Sequence, residues 1–513
     1  MLKNKLRQVL LLSLFVMLSA VTAIAQKKDD DRDEHRDEHT KNDWGLHVQE
    51  LLDDRSEQQF GIKQPLDSSA LGPYGGLDNT RAVIAAKGLN VSVISNVSNP
   101  LADQIALWPN DEHPTHLFVA VETGRNAAGT NVSLQVIDLS GNPNSNVRDV
   151  LTGLTSGDPI RRTPWGTILV GEEATDGAMY EIFDPLNVGK PTPVVITNRA
   201  TGANTDPTHV FKRQALGALA FEGLGIFPDG TTYYGDERRP GTTTAGGAIY
   251  KYVPDPIVAY SGVEVTTGIA AVSPHGSPYA QGKIYGMRLG TNSGNTDNGQ
   301  GTEIGKGVWV LITTVADASG NINLRAAQDS LHLTGYYRPE DMDIDDEALA
   351  KGIRRVCWTN TGRMSNGGNS QVEEAATYGE VTCMVDEPLT GAVTNSRPFV
   401  TRFFAGGPDA NFFDNIDFQP GTGRMVILED GEVEVVTSHG TELRGNDVWM
   451  LLPDGADRDV QSDGAIRILS LTDTGAEPTG WIFSASGETA YVNIQHRTPN
   501  IGAVLKISGF KGK

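Results

Sequence analysis

Apolar residues along this chain come in short runs rich in Val, Ile, Thr, Tyr and Trp, separated by Gly, Asp, Asn and Pro. The runs are HLFVAVETG, NVSLQVIDLSGN, GTILVGEE, AMYEIFDP, TTYYGDE, GAIYKYVPD, GVWVLITTV, RRVCWTN, RMVILEDGE, NDVWMLLPDG and TAYVNIQH. β-branched and aromatic residues suit a pleated surface and the punctuating residues suit turns, so each run predicts a strand. Long amphipathic helical patterns are nearly absent. With 58 glycines and 26 prolines as breakers, the chain reads as all-β. A single sandwich is too small for it, because one core stops growing beyond about 250–300 residues. No second linker offers a place to divide the chain.

A repeat resolves this. EGLGIFPDGTTYYGDE (222–237), NIDFQPGTGRMVILEDG (415–431) and EPTGWIFSASGETAYVNIQH (477–496) share one order: a polar residue, an apolar strand, a Gly turn, a second strand, then acids or amides. RPEDMDIDDEALAKGIRRVCWTN (338–360) is a looser copy with a longer turn. A further strand pattern follows several of them, in GAMYEIFDP, GAIYKYVPD and NDVWMLLPDG. Radially repeated hairpins are the pattern of β-propeller blades, whose first strands line a central channel. The alternative is a large sandwich with its acids scattered over loops.

GTILVGEE ends a strand on two adjacent acids, Glu172 and Glu173. Neighbouring residues on a strand point to opposite faces, so one of these charges is hidden unless something compensates it. A solvated strand end and a bound cation both answer the question. If the blades converge, the candidate ring is Glu172, Glu173, Glu222, Asp236 or Glu237, Glu340, Asp430 and Glu477. Two carboxylates about 5 Å apart at an effective dielectric of about 20 repel by roughly 3 kcal/mol, and three mutually close ones by about 10. That matches a whole domain's stability, so either protons or cations must sit among them. Oxygen-only ligands select hard ions, Ca²⁺ foremost in an exported protein. Arg338, two residues before Glu340, can hold a phosphate or carboxylate by paired hydrogen bonds, or simply neutralise Glu340 or Asp341. His496 and Arg497 follow the last strand.

The N-terminus reads as a secretory signal over 1–25. Lys3, Lys5 and Arg7 precede an apolar run that ends in Ala23-Ile24-Ala25, with no twin-arginine pair. KKDDDRDEHRDEHTKND follows, giving a disordered charged linker over 26–43 that contains His35 and His39, and a single propeller domain over 44–513. The formal net charge of −22 repels nucleic acid and anionic lipid and favours cations. Two cysteines, Cys357 and Cys383, are too few for a disulfide scaffold. They lie on neighbouring strand-like runs, where a cross-strand disulfide and two buried thiols are both open.

In order, TPWGTILVGEE, FEGLGIFPDG…YYGDE…GAIYKYV, RPED, GEV, NIDFQPGTGRMVILEDGE and EPTGWIFSASGETAYVNIQH resemble the PhoX-type alkaline phosphatases and their wider branch of secreted propellers, over roughly residues 110 to 505. The resemblance implies a six-bladed propeller with long loop insertions, such as LGTNSGNTDNGQGTEIG (289–305). It also implies a central site that holds Ca²⁺ with iron and hydrolyses phosphate esters. Carried across by motif, the metal ligands would be Glu172, Glu173, Glu222, Glu340 and Asp430, with Arg338 gripping phosphate. Independently of the resemblance, an arginine and a histidine, Arg338 and His496, beside a cation cluster at one mouth would be the catalytic pair for a small anionic substrate. The chain departs from the family pattern in three ways. GEEATDGAMYEIF lacks the iron-binding cysteine, Phe221 stands where members often carry His, and the signal is of the general secretory kind. Periplasmic or extracellular export and a calcium centre are therefore expected, with no nucleic acid and no membrane attachment after signal cleavage. Two other classes compete: a non-catalytic, calcium-stabilised binding propeller, and a calcium-dependent lactonase using Asn360, Asn415 and Asn493.

Overall fold

The computed structural model describes residues 46–512 apart from 73–75, 77, 241–244, 256–262, 291–303, 363–377, 389–394, 432, 438–439 and 456–458. The proposed signal and linker, and most of the 289–305 insert, lie outside the described residues. The strands form six blades whose innermost members are Ala102–Trp108, Gly157–Arg162, Phe221–Ile226, Pro339–Ile344, Phe413–Phe418 and Glu477–Phe483. Pairing is antiparallel except where Val194–Asn198 runs parallel to Val147–Thr152, and the third and fourth blades are joined into one nine-stranded sheet through Gly305–Leu311 and Ser396–Ala405. Each innermost strand neighbours the next, and the last returns to the first, so they form a closed ring around a channel. This is a six-bladed β-propeller. The ring is fastened by early chain: Val83–Ala85 pairs with Ala465–Leu471 on the fifth blade, and Asn90–Ser95 pairs with Ala503–Ser508 on the sixth.

Burial on both faces explains why the strands read as continuous apolar runs rather than alternating ones. In the second blade, Ile168 and Val170 pack with Tyr180, Ile182, Phe118 and Val136 toward the first blade. Leu169 and Met179 pack with Leu219, Phe221 and Tyr234 toward the third. Cys357 and Cys383 are directly opposed on neighbouring strands of the fourth blade and are joined by a disulfide.

One irregularity recurs in every blade and positions the site. The innermost strand pairs with the end of the second strand, then slips out of register. The first pairs are Ala102 with Val121, Gly157 with Glu172, Phe221 with Asp236, Pro339 with Asn360, Phe413 with Glu429 and Glu477 with Gln495. In five blades a carboxylate follows directly: Asp103, Asp158, Glu222, Glu340 and Asp414. A bulge bends the strand and re-aims a side chain, here at the channel mouth.

Below this layer polar groups tie blade to blade. Asp343 accepts from the Phe418 amide at 2.9 Å, Asn415 from Gly480 at 2.8 Å, and Asp417 from Phe483 at 2.6 Å. Arg161 of the second blade reaches Gln104 of the first at 2.9 Å and Asp341 of the fourth at 2.7 Å. The third and fourth blades touch most closely at Gly223, where a Cβ would stand 1.8 Å from the Met342 amide nitrogen. Gly223→Ala is expected to force these strands apart at a cost of about 3 kcal/mol, read as a lowered thermal midpoint. An unchanged midpoint would contradict the packing described.

Candidate metal centre at the channel mouth

Each second strand delivers two consecutive residues to the mouth, and alternation sends them opposite ways. The first stays inside the blade. Glu172 is fully buried and accepts from Arg199 Nε at 2.6 Å and Nη2 at 3.1 Å, from the Thr155 amide at 2.8 Å and from the Ala178 amide at 3.1 Å. Asp236 is held in the same way by Arg325, at 2.8 Å from both Nε and Nη2. Glu429 is held by Arg444 at 2.7 Å. The second residue turns to the channel: Glu122, Glu173, Glu237, Thr361, Asp430 and His496. The expectation that Glu172 is a metal ligand is therefore corrected. Its oxygens are saturated by a guanidinium and two amides, and Glu173 alone of the pair enters the mouth. Of Asp236 and Glu237, it is Glu237 that does so.

The remaining candidates come together with acids from every blade. Three groups have donor oxygens mutually within 4.8 Å: Glu122, Asp158 and Glu173; Glu222, Glu340 and Asp414; and Asp414, Asp430 and Glu477. Asp414 belongs to two of them. Burial, then the neighbouring Glu122 charge, pushes Glu173 up to about 12. Burial and Asp430 push Asp414 up to about 7. Glu222, Glu340 and Glu477 lie well above the ordinary carboxylate range, each chiefly through burial. Beside burial, a neighbouring acid raises each: Glu122 raises Glu173, Asp158 raises Glu222, and Asp430 and Asp414 raise Glu477.

Arg338 lies among them. Its Nε is 2.6 Å from Glu237 and 3.0 Å from Glu340, and Nη2 is 3.7 Å from Asp430. Both Arg338 and His496 adopt left-handed backbone, with φ of 55° and 57°. The His496 ring is half-exposed, with Nε2 4.0 Å from Glu477. Thr361 donates to Glu340. The asparagines of the lactonase reading bond to the framework, while the side-chain oxygens of Asn360 and Asn493 are buried without a hydrogen-bond partner. Asn360 donates to Glu380 at 3.2 Å, Asn415 accepts from Gly480, and Asn493 donates to the Asp103 carbonyl.

Asp103, Glu122, Asp158 and Asp414 were not anticipated, yet a signal for them exists. ADQIAL, GDPIRR, FEGLGI, PEDMDI and FDNIDF share an acid at the second position and an apolar residue at the fourth. AVE, GEE, GDE and LED likewise end second strands.

The donor set tests which ion fits. A carboxylate oxygen of Asp158, in the first group, is buried without a hydrogen-bond partner, as is one of Asp103 beside it. Oxygen donors of this kind suit Ca²⁺, Mg²⁺ or Mn²⁺. The thiolate implied for iron is missing from the mouth, because both cysteines are closed in the fourth-blade disulfide.

The chain is a six-bladed β-propeller that gathers carboxylates from all its blades at one mouth. The family model described as alkaline phosphatase PhoX matches residues 161–498. The chain belongs to this family of metal-dependent phosphatases, a class of phosphoric ester hydrolases. No curated protein matches it. Among solved structures it is similar to Pseudomonas fluorescens PhoX in complex with vanadate, a transition-state analogue. That match has 17% identity and a TM-score of 0.55, and covers 86% of this chain and 98% of that one. It is also similar to the PQQ-bound aldose sugar dehydrogenase of Streptomyces coelicolor, with 12% identity and a TM-score of 0.42, covering 83% and 99%. Among the described residues no helix is long and apolar enough to cross a membrane.

The adjacent acids should behave oppositely. Glu172→Ala strands Arg199 and is expected to cost about 3 kcal/mol of stability. Glu173→Gln removes a group that the metal-free fold keeps protonated while the unfolded chain ionises it. It should therefore raise the thermal midpoint in chelator at pH 8, with a gain that shrinks toward pH 5. Equal effects of the two substitutions would contradict the assignment.

The raised carboxyls also set the pH dependence. The native state binds more protons than the unfolded chain above about pH 4, so metal-free stability falls as pH rises. Asp414 contributes to that fall up to about 7 and Glu173 up to about 12. Differential scanning calorimetry should show this decline in chelator and its removal by Ca²⁺. A metal-free midpoint that is flat from pH 5 to 8 would contradict it.

Proposed function

We propose that this protein is an exported, calcium-dependent phosphatase that hydrolyses phosphate esters at the channel mouth. The observation that carries the reading is the gathering of three carboxylate clusters at one mouth, with the Arg338 guanidinium against acids of two of them, Glu340 and Asp430.

In this reading Glu122, Asp158 and Glu173 hold one ion, Glu222, Glu340 and Asp414 a second, and Asp430 and Glu477 share Asp414 around a third. Bound Ca²⁺ supplies charge neutralisation at the phosphoryl oxygens and Lewis-acid activation of the attacking oxygen. Arg338 grips two oxygens of the phosphoryl group through its planar fork and orients it. Glu237, which lies in none of the three ion groups, holds the guanidinium through Nε. His496, 4.0 Å from Glu477, would give a proton to the departing alkoxide. The Pseudomonas relative was captured with vanadate, an anion that the same arrangement would hold. The basic, apolar, small-residue order of the first 25 residues supports export by the general secretory route.

Steady-state hydrolysis of p-nitrophenyl phosphate tests the reading. Activity should be abolished by chelator, restored by Ca²⁺ without iron, and inhibited by vanadate. Arg338→Ala should lower kcat/KM about 10²–10³-fold, the usual cost of one charge-stabilising donor. Calcium-loaded protein that cleaves no phosphate ester, or an Arg338→Ala variant at full activity, would overturn it.

A further inference from the structure

The clusters differ in their cationic neighbours. Arg338 reaches acids of three blades: Glu237 of the third, Glu340 of the fourth and Asp430 of the fifth. Glu340 belongs to one candidate ion group and Asp430 to another, and the two groups share Asp414. The guanidinium thus already lies against carboxylates that a divalent ion would use. Its placement is fixed by the backbone. Arg338 sits in the left-handed region, its carbonyl accepts from the Thr361 amide at 3.2 Å, and its amide donates to the Arg238 carbonyl at 3.4 Å. A non-glycine residue held in that region marks a position that its surroundings enforce.

The first group has no such occupant. Glu173 is surrounded by the acids Glu122, Asp158 and Glu237. Among the described residues no lysine or arginine forms an ion pair with Glu122, Asp158 or Glu173. Glu122 accepts from the neutral Gln495 amide at 2.7 Å. One buried Asp158 oxygen has no hydrogen-bond partner.

We propose that Arg338 is a built-in competitor for divalent cations, which divides the mouth into a tight site at Glu122, Asp158 and Glu173 and a weaker pair sharing Asp414. The inference rests on the calcium reading above and goes beyond it. An ion entering the weaker pair takes Glu340 or Asp430 from the guanidinium and frees its fork for an anion. Cation and anion affinities at this pair then reinforce one another, and the coupling is reciprocal. The first group has no part in that exchange, because its ligands never held the arginine.

Isothermal titration of metal-stripped protein with Ca²⁺ alone, in phosphate-free buffer, tests this. The wild type should show two classes of site. Arg338→Met should tighten the weaker class by about tenfold or more, within the usual range of such couplings, and leave the tight class unchanged. Arg338→Lys keeps a cation in place and should leave both classes close to wild type. Glu173→Gln should remove the tight class alone. If Arg338→Met folds only with calcium, its thermal midpoint should rise more steeply with Ca²⁺ than that of the wild type, and an equal or shallower rise overturns the proposal. A weaker class that Arg338→Met leaves unmoved or loosens overturns the competition while the calcium centre stands. A wild type that binds no Ca²⁺ overturns both.

Discussion

Mutual repulsion among buried carboxylates is what the rest of this architecture accommodates. A propeller brings six strand starts to one narrow opening, and this sequence places an acid at nearly every one. At the 4.8 Å spacing of the clusters, an effective dielectric of about 20 gives roughly 3 kcal/mol of repulsion per ionised pair. The chain answers with three devices. Acids that face into a blade receive a dedicated arginine, as Glu172, Asp236 and Glu429 do. Acids deeper in the channel accept backbone amides from the next blade. Those at the mouth keep protons or share Arg338, and in the proposed reading would take cations.

The first two devices make the ring rigid, and the third makes it useful. Asp341 and Arg161 pair beneath the mouth and connect the second blade to the fourth, so the channel floor is fixed by charge as well as by packing. Positions on rigid strands hold ligands more firmly than loops do. The acids that follow the bulges are anchored in this way, whereas Glu122, Glu173, Glu237 and Asp430 sit one residue beyond their strands. Each proposed ion group mixes ligands from at least two blades, so cation binding would also brace blade against blade.

Much of this was legible in the sequence, for identifiable reasons. Strands buried on both faces read as apolar runs, and their Gly turns repeat, so the propeller and its hairpins could be read directly. Glu173 and Asp430 carried the acid-after-strand signature, Glu222 and Glu340 opened their hairpins, and all four fall in the candidate ion groups. Glu172 carried the same signature, and only the strand register shows that it faces Arg199, a residue that lies in a loop 27 positions on. Asp103, Asp158 and Asp414 escaped because a bulge decides their direction, and a bulge leaves only a faint trace: an acid two residues ahead of an apolar position. The departures from the family pattern fall at the same place. The missing cysteine and the phenylalanine at 221 leave oxygen donors to define the site's chemistry.

Anomalous diffraction from calcium-loaded crystals, collected at long wavelength, tests the central claim most directly. The account predicts anomalous peaks at the channel mouth, one bounded by Glu122, Asp158 and Glu173 and at least one bounded by Asp414, with none at Glu172. Peaks confined to the outer surface, or a mouth whose carboxyls remain paired with one another in saturating calcium, would contradict it.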